Sequence, residues 1–336
     1  MSETLVYAQS PVPRRLPFSR QQMPLLATIL VCTALYIGAC VTFRGFFSKD
    51  VAVAFFGDNA FLGIAALGLT PVILSGGIDL SVGSMVACAN IVLATLVENH
   101  HVSASVAILL VLAGGALFGC GTGMLIHFFD LTPFLITLGG LFALRGGALL
   151  ISTDQIAITN DTIVKLTTAT VPIGFGVQLP ITAATFIALA IVLIFVSLYT
   201  SFGRNVYAVG GNEASAVLMG LPVGRTKVLV YTLSGFCSAL AGVVYTLYTS
   251  SGDATAAKGM ELDAIAAVVV GGTLLSGGVG QVIGTCVGVL VFGIIASAIN
   301  FQGTLDPGWN RIVIGGLLLA FIILQKIIQP GKTGHA

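Results

Sequence analysis

Charge is what this chain has least of. Lys, Arg, Asp and Glu together make up 8% of 336 residues, against roughly 25% in a soluble globular protein. No basic run is present to hold nucleic acid, and the net charge is +1. The six cysteines (Cys32, Cys40, Cys88, Cys120, Cys237, Cys286) all fall in apolar stretches without a C-x-x-C pair, which reads as buried hydrophobes rather than a metal or redox centre. Histidine is as uninformative: His100 and His101 are adjacent, His127 closes an apolar run and His335 is in the tail, none with a partner at metal or triad spacing. These gaps exclude a catalytic constellation, a metal site and a resident cofactor.

Nucleotide motifs are also missing, although two decoys occur. Gly331, Lys332 and Thr333 imitate the end of a phosphate-binding loop, but the required earlier glycine is replaced by Lys326. Two LSGG quartets, at 74–77 and 275–278, resemble the signature of transporter ATPases yet lie in apolar sequence. The chain is therefore expected not to bind ATP itself.

What is abundant is apolar sequence and glycine, 56% and 42 residues. Long apolar runs place the chain in the bilayer, and small residues let membrane helices approach closely. Ten segments read as transmembrane candidates: 24–43, 59–75, 82–97, 102–127, 132–151, 180–200, 228–249, 263–275, 279–300 and 309–328. The expected fold is all-α and polytopic, with about ten transmembrane helices. The second, third and eighth segments are short, which suggests broken or re-entrant spans. Residues 1–23 read as a polar tail, 24–328 as the membrane domain and 329–336 as a second tail. The first apolar run is too long for a signal-peptide core, so it is taken as retained.

Orientation follows from the positive residues. With the amino terminus inside, Arg14, Arg15, Arg20, Arg204, Arg225, Lys227, Lys326 and Lys332 face the cytoplasm. Arg44, Lys49, Lys165 and Lys258 face outward, while Arg145 and Arg311 lie within segments. Both termini are thus expected to be cytoplasmic, and so is the polar stretch 201–227. Within it Asn212 is positioned to cap a short helix with Glu213 in its first turn, followed by an apolar side and a stop at Gly220. Such a helix is either a docking element or an ordinary solvated connection. The stretch 152–179 is the longest outer loop, open to a soluble partner or serving as a plain connection.

The residues LSGGIDLSVGS at 74–84 echo LSGGVGQVIGT at 275–285, each at the junction of two apolar segments. Duplicated halves are a common transporter construction. Arg145 lies close enough to a segment end to reach the interface, which favours an anchor over the alternative of a binding role. Asp79 suits either capping of the following helix or contact with an ion or substrate. Asn59, Asn90, Asn300 and Asn310 are neutral hydrogen-bonding groups, suited to an uncharged polyol pathway and equally to interhelical bonding. Carboxylates in mid-segment are absent, which counts against proton or sodium coupling.

Four motifs in order, GGIDLSVGS at 76–84, ITLGGLFALRGG at 136–147, YAVGGNEASAVLMGL at 207–221 and ELDAIAAVVVGGTLLSGGVG at 261–280, resemble the permeases of bacterial ribose-type sugar ABC importers. DNAFLGIAALGLTPVILSGGIDLSVGS at 58–84 and INFQGTL at 299–305 make the chain most similar to the second permease of the galactofuranose importer. The resemblance implies an inner-membrane pore subunit with cytoplasmic ABC ATPase partners, a periplasmic sugar-binding protein and a second permease chain in a heterodimer. It further implies that Gly203, Arg204, Tyr207, Gly210, Gly211, Asn212, Glu213 and Ala214 lie in the ATPase-contacting segment, with Met219 on the same short helix. The matching stretch 261–280 is implied to support the pathway. The outer sequence AITNDTIVKLTTATVPIGFGVQ departs from the family pattern. Rival readings are a permease of the same family for ribose, xylose or another sugar, an ion-coupled secondary sugar carrier, and a membrane enzyme.

Overall fold

The computed structural model describes residues 23–174, 176–303 and 308–328. Both expected tails fall almost wholly outside them. In chain order the elements are α1 (Met23–Thr42), α2 (Lys49–Asp58), α3 (Ala60–Leu74), α4 (Val82–Ala94, continued by a π-helical turn Thr95–Asn99), α5 (Ala104–Phe128) and α6 (Pro133–Ile151). There follow β1 (Ile156–Ala157), α7 (Asp161–Thr167), β2 (Thr170–Gly174), β3 (Val177–Pro180), α8 (Ile181–Tyr199), α9 (Ser201–Gly211) and α10 (Glu213–Leu218). The chain continues through α11 (Val223–Thr249), β4 (Ser251–Gly252), α12 (Met260–Val270), α13 (Val282–Gln302) and α14 (Gly308–Ile328). Each of the ten apolar segments contains a helix.

Seven described helices are long and apolar enough to cross a bilayer singly. The second segment is instead the inner half of a bent pair, α2 and α3, which meet at 52°. Asn59 sits at that bend and its Nδ2 donates to the Phe55 carbonyl over 3.0 Å. The eighth segment starts earlier than expected and stops after 11 residues, too short for a crossing at about 1.5 Å per residue. Apolar side chains cover the outside of the bundle, as at Leu150, 90% exposed, and Leu117, Phe142 and Ile191. A surface of this kind is stable only against lipid or another apolar body. α3 is the opposite case, buried along almost its whole length.

α5 and α11 form the tightest helix pair. Gly115, Gly119 and Gly123 recur every fourth residue and lie on one face of α5, all buried. A side chain at Gly119 would run into the Tyr231 carbonyl, and one at Gly123 would come within 2.7 Å of the Val228 Cα. Gly235 answers from α11 by sitting against the Gly115 carbonyl. With lipid on the alternative side, this backbone approach gains dispersion contact that larger residues would forbid.

The loop after α6 is more ordered than a plain connection. β2 and β3 form an antiparallel hairpin. β1 pairs with β4, setting Ile156 opposite Gly252. Glu98, within the π-helical turn, accepts from the Thr159 and Asn160 amides at 2.8 and 2.9 Å.

Candidate functional site

The polar stretch 201–227 is largely helical. α9 begins where Thr200 accepts a hydrogen bond from the Gly203 amide at 3.2 Å. Gly203 is pressed so closely on Ser197 that a Cβ there would meet its carbonyl. Val206 and Val209 point inward, while Arg204 stays exposed and donates to Ser201 Oγ over 2.9 Å. The Tyr207 hydroxyl donates to the Gly280 carbonyl at 3.0 Å and lies 3.3 Å from Ser197 Oγ. One phenol thus ties α9 to α8 and to the turn ahead of α13.

Asn212 caps α10 as its sequence position suggests: Oδ1 accepts from the Ser215 amide at 2.8 Å. Ala216 is the single buried residue of α10 and packs with Val209 and Val223. The helix stops at Met219, and Gly220 follows with φ +74°, the left-handed stop that glycine tolerates. Ala214 is exposed, and Val217, Leu218 and Met219 are 57, 89 and 66% exposed. Beside them Lys227 Nζ and Glu213 Oε1 form a 2.6 Å ion pair. α11 starts at Val223, so Arg225 and Lys227 belong to its first turns rather than to a loop.

The two LSGG stretches meet at this place. Gly278 donates its amide to the Leu74 carbonyl over 2.9 Å. Gly76 and Gly277 hold the same place in each quartet and have φ of +83° and +82°, a conformation L side chains adopt at a cost of about 1 kcal/mol or more. Gly210 closes the junction from α9: a Cβ there would collide with the Leu74 carbonyl and lie 2.7 Å from the Gly278 nitrogen. Gly278 in turn rests on Gly211. Three backbone segments from distant parts of the chain therefore cross without intervening side chains. The echo marked a real junction, while nothing in 201–227 alone told which elements it would touch. A cleft of ≈ 330 Å³ opens beside the crossing, bordered by Ser75, Gly76, Asp130, Thr132, Glu213 and Lys227.

The four polar residues suggested for a pathway are not brought together. Asn59 sits at the α2–α3 bend. Asp79 is buried, its Oδ1 accepting from the Ser81 amide and hydroxyl at 2.9 and 2.6 Å and its Oδ2 from Ser234 Oγ at 2.7 Å. It thus holds the entry to α4 and also locks that entry onto α11. Asn90 is fully buried and donates to Thr246 Oγ1 and the Ser251 carbonyl while accepting from the Asp253 amide. Asn300 is exposed. The side chain of Asn310 lies outside the described residues.

Arg145 behaves differently from an interfacial anchor. It is partly buried, and its Nη1 donates to the Ala254 and Ala256 carbonyls at 3.0 and 2.7 Å. Reach along its own helix suggested snorkelling; acceptors from a segment 109 residues away decide otherwise. Among the described residues no group of His, Cys, Asp and Glu is placed to hold a metal ion.

The family described as branched-chain amino acid transport system / permease component matches residues 51–322. The chain belongs to this permease family. It is 45% identical over 307 residues to the inner membrane ABC transporter permease protein YjfF of Escherichia coli K12, covering 91% of this chain and 93% of that one. The fructose import permease protein FruG of Bifidobacterium longum is 37% identical over 316 residues, covering 92% of each chain. The ribose import permease protein RbsC of Bacillus subtilis is 39% identical over 263 residues, 78% of this chain and 80% of that one. No solved structure gives a significant match. The permease is accordingly a multi-pass inner-membrane subunit of an ABC transporter and not an enzyme.

Proposed function

We propose that this permease is the translocation subunit of an ATP-driven sugar importer, for galactofuranose or a related monosaccharide. The relatives named for fructose and ribose import support a sugar cargo, and the motifs at 58–84 and 299–305 favour galactofuranose. α10 is the handle gripped by a cytoplasmic ABC ATPase, with Gly203, Arg204, Tyr207, Gly210, Gly211, Asn212, Glu213, Ala214 and Met219 forming or carrying the contact. Both termini share that cytoplasmic face. A periplasmic sugar-binding protein delivers from the side of the 152–179 loop, and a second permease chain completes the pore as a heterodimer.

One observation carries the reading: exposed Val217, Leu218 and Met219 ride on α10, which follows directly on α9 through the Asn212 cap, and α9 is anchored through Gly210 and Tyr207 to both LSGG stretches. ATPase closure that moves α9 and α10 then has direct purchase on the helices that follow each turn, α4 and α13. Coupling requires contacts that differ between two states, and the cleft under α10 gives room for the change. Asn59, Asp79, Asn90 and Asn300 are proposed to act on the pathway by holding its walls, since the bonds of the first three are made within the protein.

Uptake of labelled monosaccharides by cells carrying the complete system tests this. Uptake should vanish without the ATPase subunit and survive collapse of the proton gradient while ATP is maintained. The reverse pattern would identify an ion-coupled carrier.

A further inference from the structure

The broken pair α2–α3 leaves a charged cleft at its α2 end. α2 rests against the start of α8: a Cβ at Gly57 would stand 3.7 Å from Pro180 Cγ and 3.9 Å from Thr182 Oγ1. Between this helix and the β2–β3 hairpin lies a cleft of ≈ 570 Å³, bordered by Lys49, Asp50, Val53, Asp58, Gln178 and Pro180. Asp58 acts electrostatically on Tyr248, one residue short of the end of α11. The cleft is therefore level with the end of the bundle opposite to α9 and α10. On the orientation read from the positive residues, that end faces outward.

Charge in the cleft is unbalanced, two carboxylates against one ammonium. Asp58 closes α2 with no basic residue in the last turn, and its carboxylate makes no hydrogen bond or ion pair among the described residues. The lining is also too open to enclose a small solute. Lys49, Asp50, Asp58 and Gln178 are all exposed, whereas ligand pockets bury about 70–90% of what they hold. A protein surface brings its own walls, and beside the cleft β2 offers it Val171 and Ile173, 39 and 58% exposed. The position has a mechanical consequence as well. Asp58 precedes Asn59, where the chain bends by 52° into α3. α3 is buried, about 22 Å long at 1.5 Å per residue, and ends at Leu74, whose carbonyl accepts from Gly278 and abuts Gly210. A load on α2 thus reaches α9 through one packed helix.

We propose that this cleft is the docking point of the periplasmic sugar-binding protein, entered by an arginine or lysine of that protein which pairs with Asp58. The partner's chemistry follows from the charge. An unpaired carboxylate on a cleft wall is answered by a cationic side chain, best by the two parallel N–H groups of a guanidinium, and docking of the larger body removes the water that weakens such a pair. The docking point rests on the sugar-import reading and deepens it by naming where, and through which charge, the delivering protein is held.

The test titrates the complete transporter in lipid nanodiscs with its own binding protein, loaded with ribose, fructose or galactose, and reads stimulated ATP hydrolysis. Asp58→Asn keeps size and polarity and removes the charge. The binding-protein concentration for half-maximal stimulation should rise at least tenfold, with maximal rate, basal hydrolysis and thermal midpoint kept. Raising ionic strength should increase that concentration steeply for the unaltered complex and much less for Asp58→Asn, because salt screens the pair that the variant lacks. An unchanged half-maximal concentration, or an equal salt dependence, overturns the docking point. A second probe leaves Asp58 in place: Gln178→Cys should be joined to the binding protein by a short thiol–amine crosslinker, and failure to crosslink overturns the proposal even if Asp58→Asn does not fold. An unchanged half-maximal concentration with less sugar moved per ATP in proteoliposomes would make the cleft a sugar subsite and overturn docking. If the unaltered complex hydrolyses ATP but responds to none of the loaded forms, the sugar-import reading itself falls, an outcome distinct from failure of the variants alone.

Discussion

Gly278 gives its amide hydrogen to the carbonyl of Leu74 across 204 positions of sequence, over 2.9 Å. That bond joins two turns with the same LSGG sequence, and Gly210 of α9 is wedged against it. Motion applied to α9 is therefore felt by the backbone of both turns, with no flexible side chain to absorb it.

Gly210→Ala tests the wedge. The new methyl cannot fit against the Leu74 carbonyl, so α9 must lift. Overpacking of this type costs about 1–3 kcal/mol, within what a large bundle survives. Transport-coupled ATP hydrolysis in proteoliposomes should fall at least tenfold while the purified protein remains folded. Gly114→Ala, at a position of α5 where an added methyl meets nothing within 4 Å, should leave coupling near the unaltered level.

The handle itself is tested by replacing Glu213 and Met219 together, as Glu213→Gln with Met219→Ala. Both are exposed, and the Glu213–Lys227 pair contributes little to stability in solvent. The thermal midpoint should hold while coupled hydrolysis drops.

Asp79 separates a lock from a pathway contact. Asp79→Asn keeps an oxygen for Ser81, and the Ser234 hydroxyl can turn to accept from the new amide. Asp79→Leu strands the buried Ser81 and Ser234 hydroxyls at about 1–3 kcal/mol. Thermal melting in detergent should show a small loss for the first and a large one for the second, with transport following stability in both.

Asn90→Leu removes three hydrogen bonds, two that clamp 251–253 to α4 and one to Thr246 of α11. The expected loss is about 2–3 kcal/mol, since the partners are left unsatisfied. Hydrogen exchange should rise first over 250–259, with α5 and α11 still protected.

Much of the handle was legible because its signals are local: Asn212 as cap, Glu213 in the first turn, Gly220 as stop, apolar residues between. The α9 helix was not, since its eleven residues mix Gly, Arg and Asn with apolar positions whose spacing was hidden inside a polar stretch. The α2–α3 bend and the short α12 were signalled by segment length alone. Arg145 was legible as an anchor weighed against a binding role, but its partners were not, because they depend on which backbone stands opposite. That is fixed by the return of 250–259 into the bundle, a tertiary event with no local sequence mark.

The central claim is that a separate ATPase grips α10 on the cytoplasmic side. Cysteine placed at Leu218, 89% exposed, is the most direct probe, read by a membrane-impermeant thiol reagent and by crosslinking in the assembled transporter. It should be labelled in inverted vesicles, spared in intact spheroplasts, and crosslinked to the ATPase subunit. Labelling from the outside of intact spheroplasts, with no crosslink to the ATPase, would contradict the account.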